Sequence, residues 1–199
     1  NPAALSITIE GRPGPLVTGL SSAATKYRLA KYCTGLALPD PGVLEWGGIR
    51  EEYFEGYSAQ LIVVLSIVAL ETYARIIQHK WWDFAPQPDH AGGSDLAADL
   101  RKSLDKKLRG GMKKKSMTEK LGKRLAHFFG GDDLEVLGVA HGIRKGVAPG
   151  DMGLTDSINF EQSTKLRRLI LSLIEADIDA VIAALGAQDR SLLPSRFQS

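Results

Sequence analysis

Residues 132–148, DDLEVLGVAHGIRKGVA, run into the turn Pro149-Gly150-Asp151 and form the most informative stretch of the chain. Leu137, Ala140, Arg144 and Ala148 recur at i, i+3, i+7 and i+11, a helical period that sets Arg144 on or beside the apolar face. A guanidinium does not lose its proton in proteins and is costly to bury unpaired, so Arg144 requires an anion or a ring of acceptors. His141 lies one turn before it on the same side. Pro149 biases Ala148 away from helical geometry and carries no N–H, so the helix is expected to stop there.

Helical patterns fill the sequence on either side. Leu61 to Leu70 is an apolar run broken only by Ser66. A bilayer crossing needs ~20 such residues, so a buried core helix is expected rather than a span. It is read from about Ile49 to about Trp81, with Glu51, Glu52 and Glu55 at its start, where the helix dipole favours negative charge. Its apolar and aromatic positions are Tyr53, Tyr57, Leu61, Val64, Val68 and Tyr73. Glu71 and Arg75 stand at i, i+4, which suits either a surface ion pair of ~0.3–0.5 kcal/mol or a Glu71 that crosses the bundle to Arg144.

Asp83 to Gly93 is a Pro- and Gly-rich linker. Ser94 caps a helix to Leu108, with Gly110 and Gly111 behind it, and Thr118 to Phe129 forms another. The last helix keeps a 3.6-residue period through Leu166, Leu169, Leu173 and Ile178 to Leu185, with Asn159 and Gln162 as a capping box and Gly186 as the stop. The first 48 residues differ: Leu5, Ile7 and Ile9 alternate in a strand-like manner, and Ser21 to Tyr32 reads as a helix. The expected architecture is all-α, an up-and-down helical bundle of about five helices over residues 49–187. Residues 1–48 form an N-terminal extension and 188–199 a flexible tail. The apolar stripes are broad enough to leave one for a second copy of the chain.

A chain of 199 residues with 44% hydrophobic and 24% charged residues has the balance of a soluble globular domain. Cys33 is the single cysteine, which rules out an internal disulfide, and no signal-peptide pattern opens the sequence, so the cytoplasm is the expected compartment. The four histidines lack cysteine partners and zinc-type spacing, and there is no phosphate-cradling loop or nucleophile elbow. No metal and no cofactor are expected.

Charge is the second functional signal. Between Arg101 and Arg124 stand eleven basic residues against Asp105 and Glu119, a surplus of nine, so the rest of a chain of net +2 carries −7. Lys106, Lys107, Arg109, Lys113, Lys114, Lys115, Lys120, Lys123 and Arg124 are the residues expected to meet an anionic polymer, by counterion release. A solvated face with a flexible connector accounts for the same run. No aromatic residue lies among the lysines, so contacts to the nucleic-acid backbone are expected rather than base stacking.

Taken together, an inner-face arginine near a helix end and a following small-residue turn resemble the HEPN superfamily. Its motif runs from an arginine, through a polar and a few small residues, to a histidine. Arg144, Lys145, Gly146, Val147, Ala148 and Gly150 fit that frame over a likeness spanning about Ile49 to Ala187, but Pro149 stands where the histidine belongs. The resemblance implies a bundle that pairs with its own copy across the motif helix. It also implies, in active members, metal-independent RNA cleavage, often as a defence or toxin effector. On that basis Arg144 and His141 are the candidate catalytic pair, with Glu71, Lys145 and Arg75 in support. Two functions stay open: an RNA-associated protein with degraded ribonuclease chemistry, or a non-catalytic dimerising scaffold that regulates or partners another protein. A membrane partner is not expected.

Overall fold

The apolar run at Leu61–Leu70 becomes the middle of the helix on which three others pack. In the computed structural model, residues 15–34, 51–84, 93–111, 118–147 and 158–187 are described, and all of their regular structure is helical. The elements are α1 (Pro15–Tyr32), α2 (Glu51–Ile76), α3 (Gly93–Gly111), α4 (Glu119–Phe129), α5 (Val136–Val147) and α6 (Phe160–Ala187). Two 3-10 turns join them, Trp81–Asp83 after α2 and Asp133–Glu135 before α5. Helix α2 touches α1, α5 and α6, while α4 packs on α5 and α3 on α6. The chain is therefore an all-α bundle. The strand-like alternation at Leu5, Ile7 and Ile9, the tail from residue 188 and Pro149 lie outside the described residues.

Central position explains why the expected stripe on α2 differs from the observed one. Ile62, Val63, Ile67 and Leu70 are fully buried, whereas Leu61, Val64 and Val68 are half-buried and Tyr57 is exposed. A helix covered on several sides is apolar most of the way round, and its sequence then marks no single face. By length and composition the segment Glu55–Ile76 could cross a membrane, but 56% of that window is buried within the bundle, as suits a core helix.

Helix α1, read from the sequence as part of an extension, packs along α2 and α6. Ala23 and Ala30 are buried, and Lys26 Nζ donates to Thr72 Oγ1 at 3.0 Å. Tyr27 donates its hydroxyl to Glu175, and Arg167 Nη1 donates to the carbonyl of Cys33 at 2.6 Å. Helix α3 begins at Gly93, one residue before the Ser94 expected to cap it, whereas the other two expected caps behave as their residue types dictate. Thr118 Oγ1 accepts from Leu121 N, and Asn159 and Gln162 exchange reciprocal bonds of 2.8 and 3.3 Å. Helix α3 ends at Gly111, at the glycine pair expected to stop it, and α6 runs one residue past Gly186 to Ala187.

Helix α2 ends five residues earlier than its pattern suggests. His79 N donates to Ala74 O at 2.7 Å and Gln78 N to Arg75 O at 3.1 Å, the paired bonds of a Schellman turn. Gln78 takes φ 61°, a left-handed conformation usually left to glycine, which is why no sequence signal announced the stop. The reversal points the chain into the Trp81–Asp83 turn, held by the Asp83 carboxylate accepting from Lys80 N at 2.7 Å. Replacing Gln78 by Gly relieves the left-handed strain, and thermal or urea unfolding should show stabilisation of about 0.5–1 kcal/mol.

Candidate functional site

Helical spacing sets His141 and Arg144 on one side of α5, and the packing of α5 on α2 brings both to Glu71. Arg144 Nη1 donates to both carboxylate oxygens of Glu71. His141 Nδ1 is sealed from solvent, and Glu71 Oε1 at 2.8 Å is the acceptor within its reach. The side chains of Glu71, His141 and Arg144 are 15%, 13% and 31% exposed, so the carboxylate and imidazole are recessed while the guanidinium reaches the surface. Of the two arrangements open to Glu71, the bundle-crossing one is observed. Arg75 is exposed on α2, and no ion pair joins it to Glu71 among the described residues. Lys145 is half-buried, and its charge acts on Glu71 from the next position of α5.

Electrostatics follows from that geometry. Burial opposes ionisation of Glu71, but the hydrogen bond from His141 and the charge of Arg144 outweigh it and hold the carboxyl below its ordinary range. A carboxylate beside an imidazole fixes the orientation of the ring. Trp81 completes the setting by stacking on His141 with centroids 4.7 Å apart and planes 18° from parallel.

No aromatic residue lies among the lysines in the sequence, but tertiary structure supplies two from elsewhere. Trp82, half-buried and edge-on to Trp81, lies 3.7 Å from Lys120 Nζ, and Arg124 stands over the Trp81 ring at 5.3 Å. Arg124 is also bound to Glu135 at 2.8 Å, and the exposed Lys123 pairs with Glu119. The basic face of α4 and the Arg144 cluster are thus one contiguous set of contacts, joined through the two tryptophans. Of the other expected anion-binding residues, Lys106, Lys107 and Arg109 lie on the course of α3 with side chains outside the described residues, and Lys113, Lys114 and Lys115 fall wholly outside them. Trp81 and Trp82 were missed because they sit at the end of a different helix, 38 or more residues before Lys120.

Comparison of the chain with protein-family models, with curated proteins and with solved structures finds no match. The site therefore has to be judged on its own chemistry.

Two outcomes are expected for the ion pair. Glu71→Leu and Arg144→Met should each destabilise by about 1–3 kcal/mol, because each strands a half-buried charge. The double variant should lose about 1–2 kcal/mol less than the two combined, as read by denaturant unfolding. Because the folded-state carboxyl is depressed, its contribution is complete above the ordinary value of 4.5 and is lost as pH falls through the lower folded value. Glu71→Gln should accordingly flatten the acid limb of the stability profile below pH 4.5 and leave its shape near neutrality unchanged.

Proposed function

We propose that this chain is a HEPN-like, RNA-associated protein that holds the RNA backbone at Arg144 and along α4, and whose ribonuclease chemistry is degraded. The supporting observation is the continuity of contacts from Arg144 through Glu71, His141, Trp81 and Trp82 to Lys120. An arginine has five N–H donors; Glu71 occupies Nη1, and the exposed remainder of the guanidinium suits a phosphate. Lys120 and Lys123 extend the positive surface, and Trp82 offers an aromatic edge beside it.

Cleavage of RNA without a metal requires a base to take the 2′-hydroxyl proton, an acid for the leaving oxygen, and a cation for the charged phosphate. Arg144 meets the last requirement. Pro149 has no N–H or imidazole to offer at the motif position, and His141 is recessed beneath Trp81. General acid–base transfer typically contributes roughly 10²–10⁴-fold, so binding without measurable cleavage is the expected behaviour. The cytoplasm and a defence or toxin-type setting belong to this reading.

A second reading, a non-catalytic scaffold that forms homodimers or seats a partner protein, draws on the commitment of both His141 and Arg144 to Glu71. It also draws on apolar side chains left exposed at Leu29, Tyr32 and Ile178. The apolar residues Val136, Leu137, Val139 and Ile143 of α5 are buried within the chain, while Leu134 just before α5 is exposed, so surface for a second copy is available there as well as on α1 and α6.

Binding of single-stranded RNA followed by fluorescence anisotropy across salt concentrations separates the two. On the RNA reading, Lys120→Ala with Lys123→Ala weakens binding alike for all sequences and flattens the salt slope by ~0.7 per lost contact. Absence of RNA binding by the parent at low salt retires that reading in favour of the scaffold. Cleavage assayed with a chelator present should be undetectable in the parent and should emerge in Pro149→His. Robust parental cleavage that disappears in His141→Ala would instead assign the acid–base role to His141.

A further inference from the structure

The turn between α4 and α5 gathers three metal-capable side chains that sequence spacing discounted. His127, Asp132 and Glu135 each offer one ligand atom, and these atoms lie within 4.8 Å of one another. Hydrogen bonds pin the backbone between them: Gly131 N donates to Phe128 O at 3.1 Å and Asp132 N to His127 O at 3.0 Å. Gly131 takes φ 114°, a conformation that side-chain-bearing residues rarely adopt, and the reversal there carries Asp132 back toward His127. Asp132 Oδ1 accepts from Leu134 N, which leaves Oδ2 without that duty. Glu135 Oε2 holds Arg124 Nη1 at 2.8 Å, which leaves Oε1. With its side chain 16% exposed, Glu135 is the recessed member of the trio, while His127 and Asp132 face solvent.

We propose that His127, Asp132 and Glu135 form a binding site for a divalent first-row transition ion, with Zn²⁺ the best match. One imidazole nitrogen and two carboxylate oxygens are a mixed donor set that suits such ions better than Ca²⁺ or Mg²⁺, which favour oxygen alone. Zinc bonds of about 2.0–2.2 Å in a tetrahedral shell set ligand atoms roughly 3.4 Å apart. Small rotations of the two exposed side chains close the remaining distance, and a water takes the fourth position. The Glu135 carboxylate then bridges the ion and Arg124, so the guanidinium opposes the ion electrostatically without occupying its ligand atom. This site does not depend on the chain binding RNA.

Titration of the full chain with ZnCl₂ alone, followed by calorimetry, tests the assignment. One ion per chain is expected. His127→Ala and Asp132→Asn should each lower affinity by more than the roughly 10–100-fold that loss of an outer-shell partner costs. Asparagine keeps the helix-capping oxygen and His127 is exposed, so unchanged circular dichroism confirms that both variants fold. Arg124→Gln leaves all three ligand atoms in place and should change affinity by less than either ligand variant does. The proposal is overturned by any of three results: no saturable binding at millimolar Zn²⁺, affinity unaltered in His127→Ala, or a larger loss in Arg124→Gln than in His127→Ala.

Discussion

A carboxylate near the C-terminal end of the central helix has to be neutralised where it stands, and much of the arrangement around the site follows from that need. Glu71 is largely enclosed, and water alone cannot solvate it there. Helix α5 meets the demand with a guanidinium and an imidazole on one face, three residues apart, which matches one helical turn. The ion pair then constrains the register of α5 against α2, because sliding either helix by a turn would strand three polar groups at once. A buried ion pair contributes little net stability compared with apolar packing. Its effect here is on register and on the placement of His141.

Trp81 depends on the same device from the other side. The left-handed turn at Gln78 ends α2 and swings the chain back, so that the indole stacks on the imidazole held by Glu71. Trp82 follows at right angles and meets Lys120, while Arg124 covers Trp81. Cations packed on aromatic faces keep their charge at modest desolvation cost, each contact contributing roughly 0.5–1 kcal/mol at exposed sites. The outcome is a connected surface in which a carboxylate, an imidazole, two indoles and several cations share neighbours. A change at one end alters the surroundings of the other through direct contact.

Chemically, the arrangement pairs a partly exposed guanidinium with an imidazole that is oriented but recessed. Arg144 satisfies two demands at once, closing the bundle against Glu71 and presenting the rest of its guanidinium outward. The donors spent on Glu71 are not available to any other acceptor. The corner at His127, Asp132 and Glu135 is separate in its chemistry. It reaches the same network through Arg124, which touches both Glu135 and Trp81.

What the sequence by itself determined is the set of helices and several of their ends. The 3.6-residue period of α6, the Thr118 cap, the Asn159–Gln162 box and the requirement that Arg144 find an anion are all local, set by residues within a turn or two of each other. The all-α class follows from these. Tertiary structure decided which anion Arg144 takes, because Glu71 and Arg144 are 73 positions apart and Arg75 competes for Glu71 from one turn along the same helix. It also decided that Trp81 and Trp82 join the basic helix, and that the deep face of α2 runs through Ile62, Val63 and Ile67. The end of α2 escaped notice because a glutamine, not a glycine, adopts the left-handed turn, and its cost is borne by packing on both sides. Helix formation is a matter of near neighbours, whereas charge pairing and aromatic stacking across helices depend on how those helices are docked.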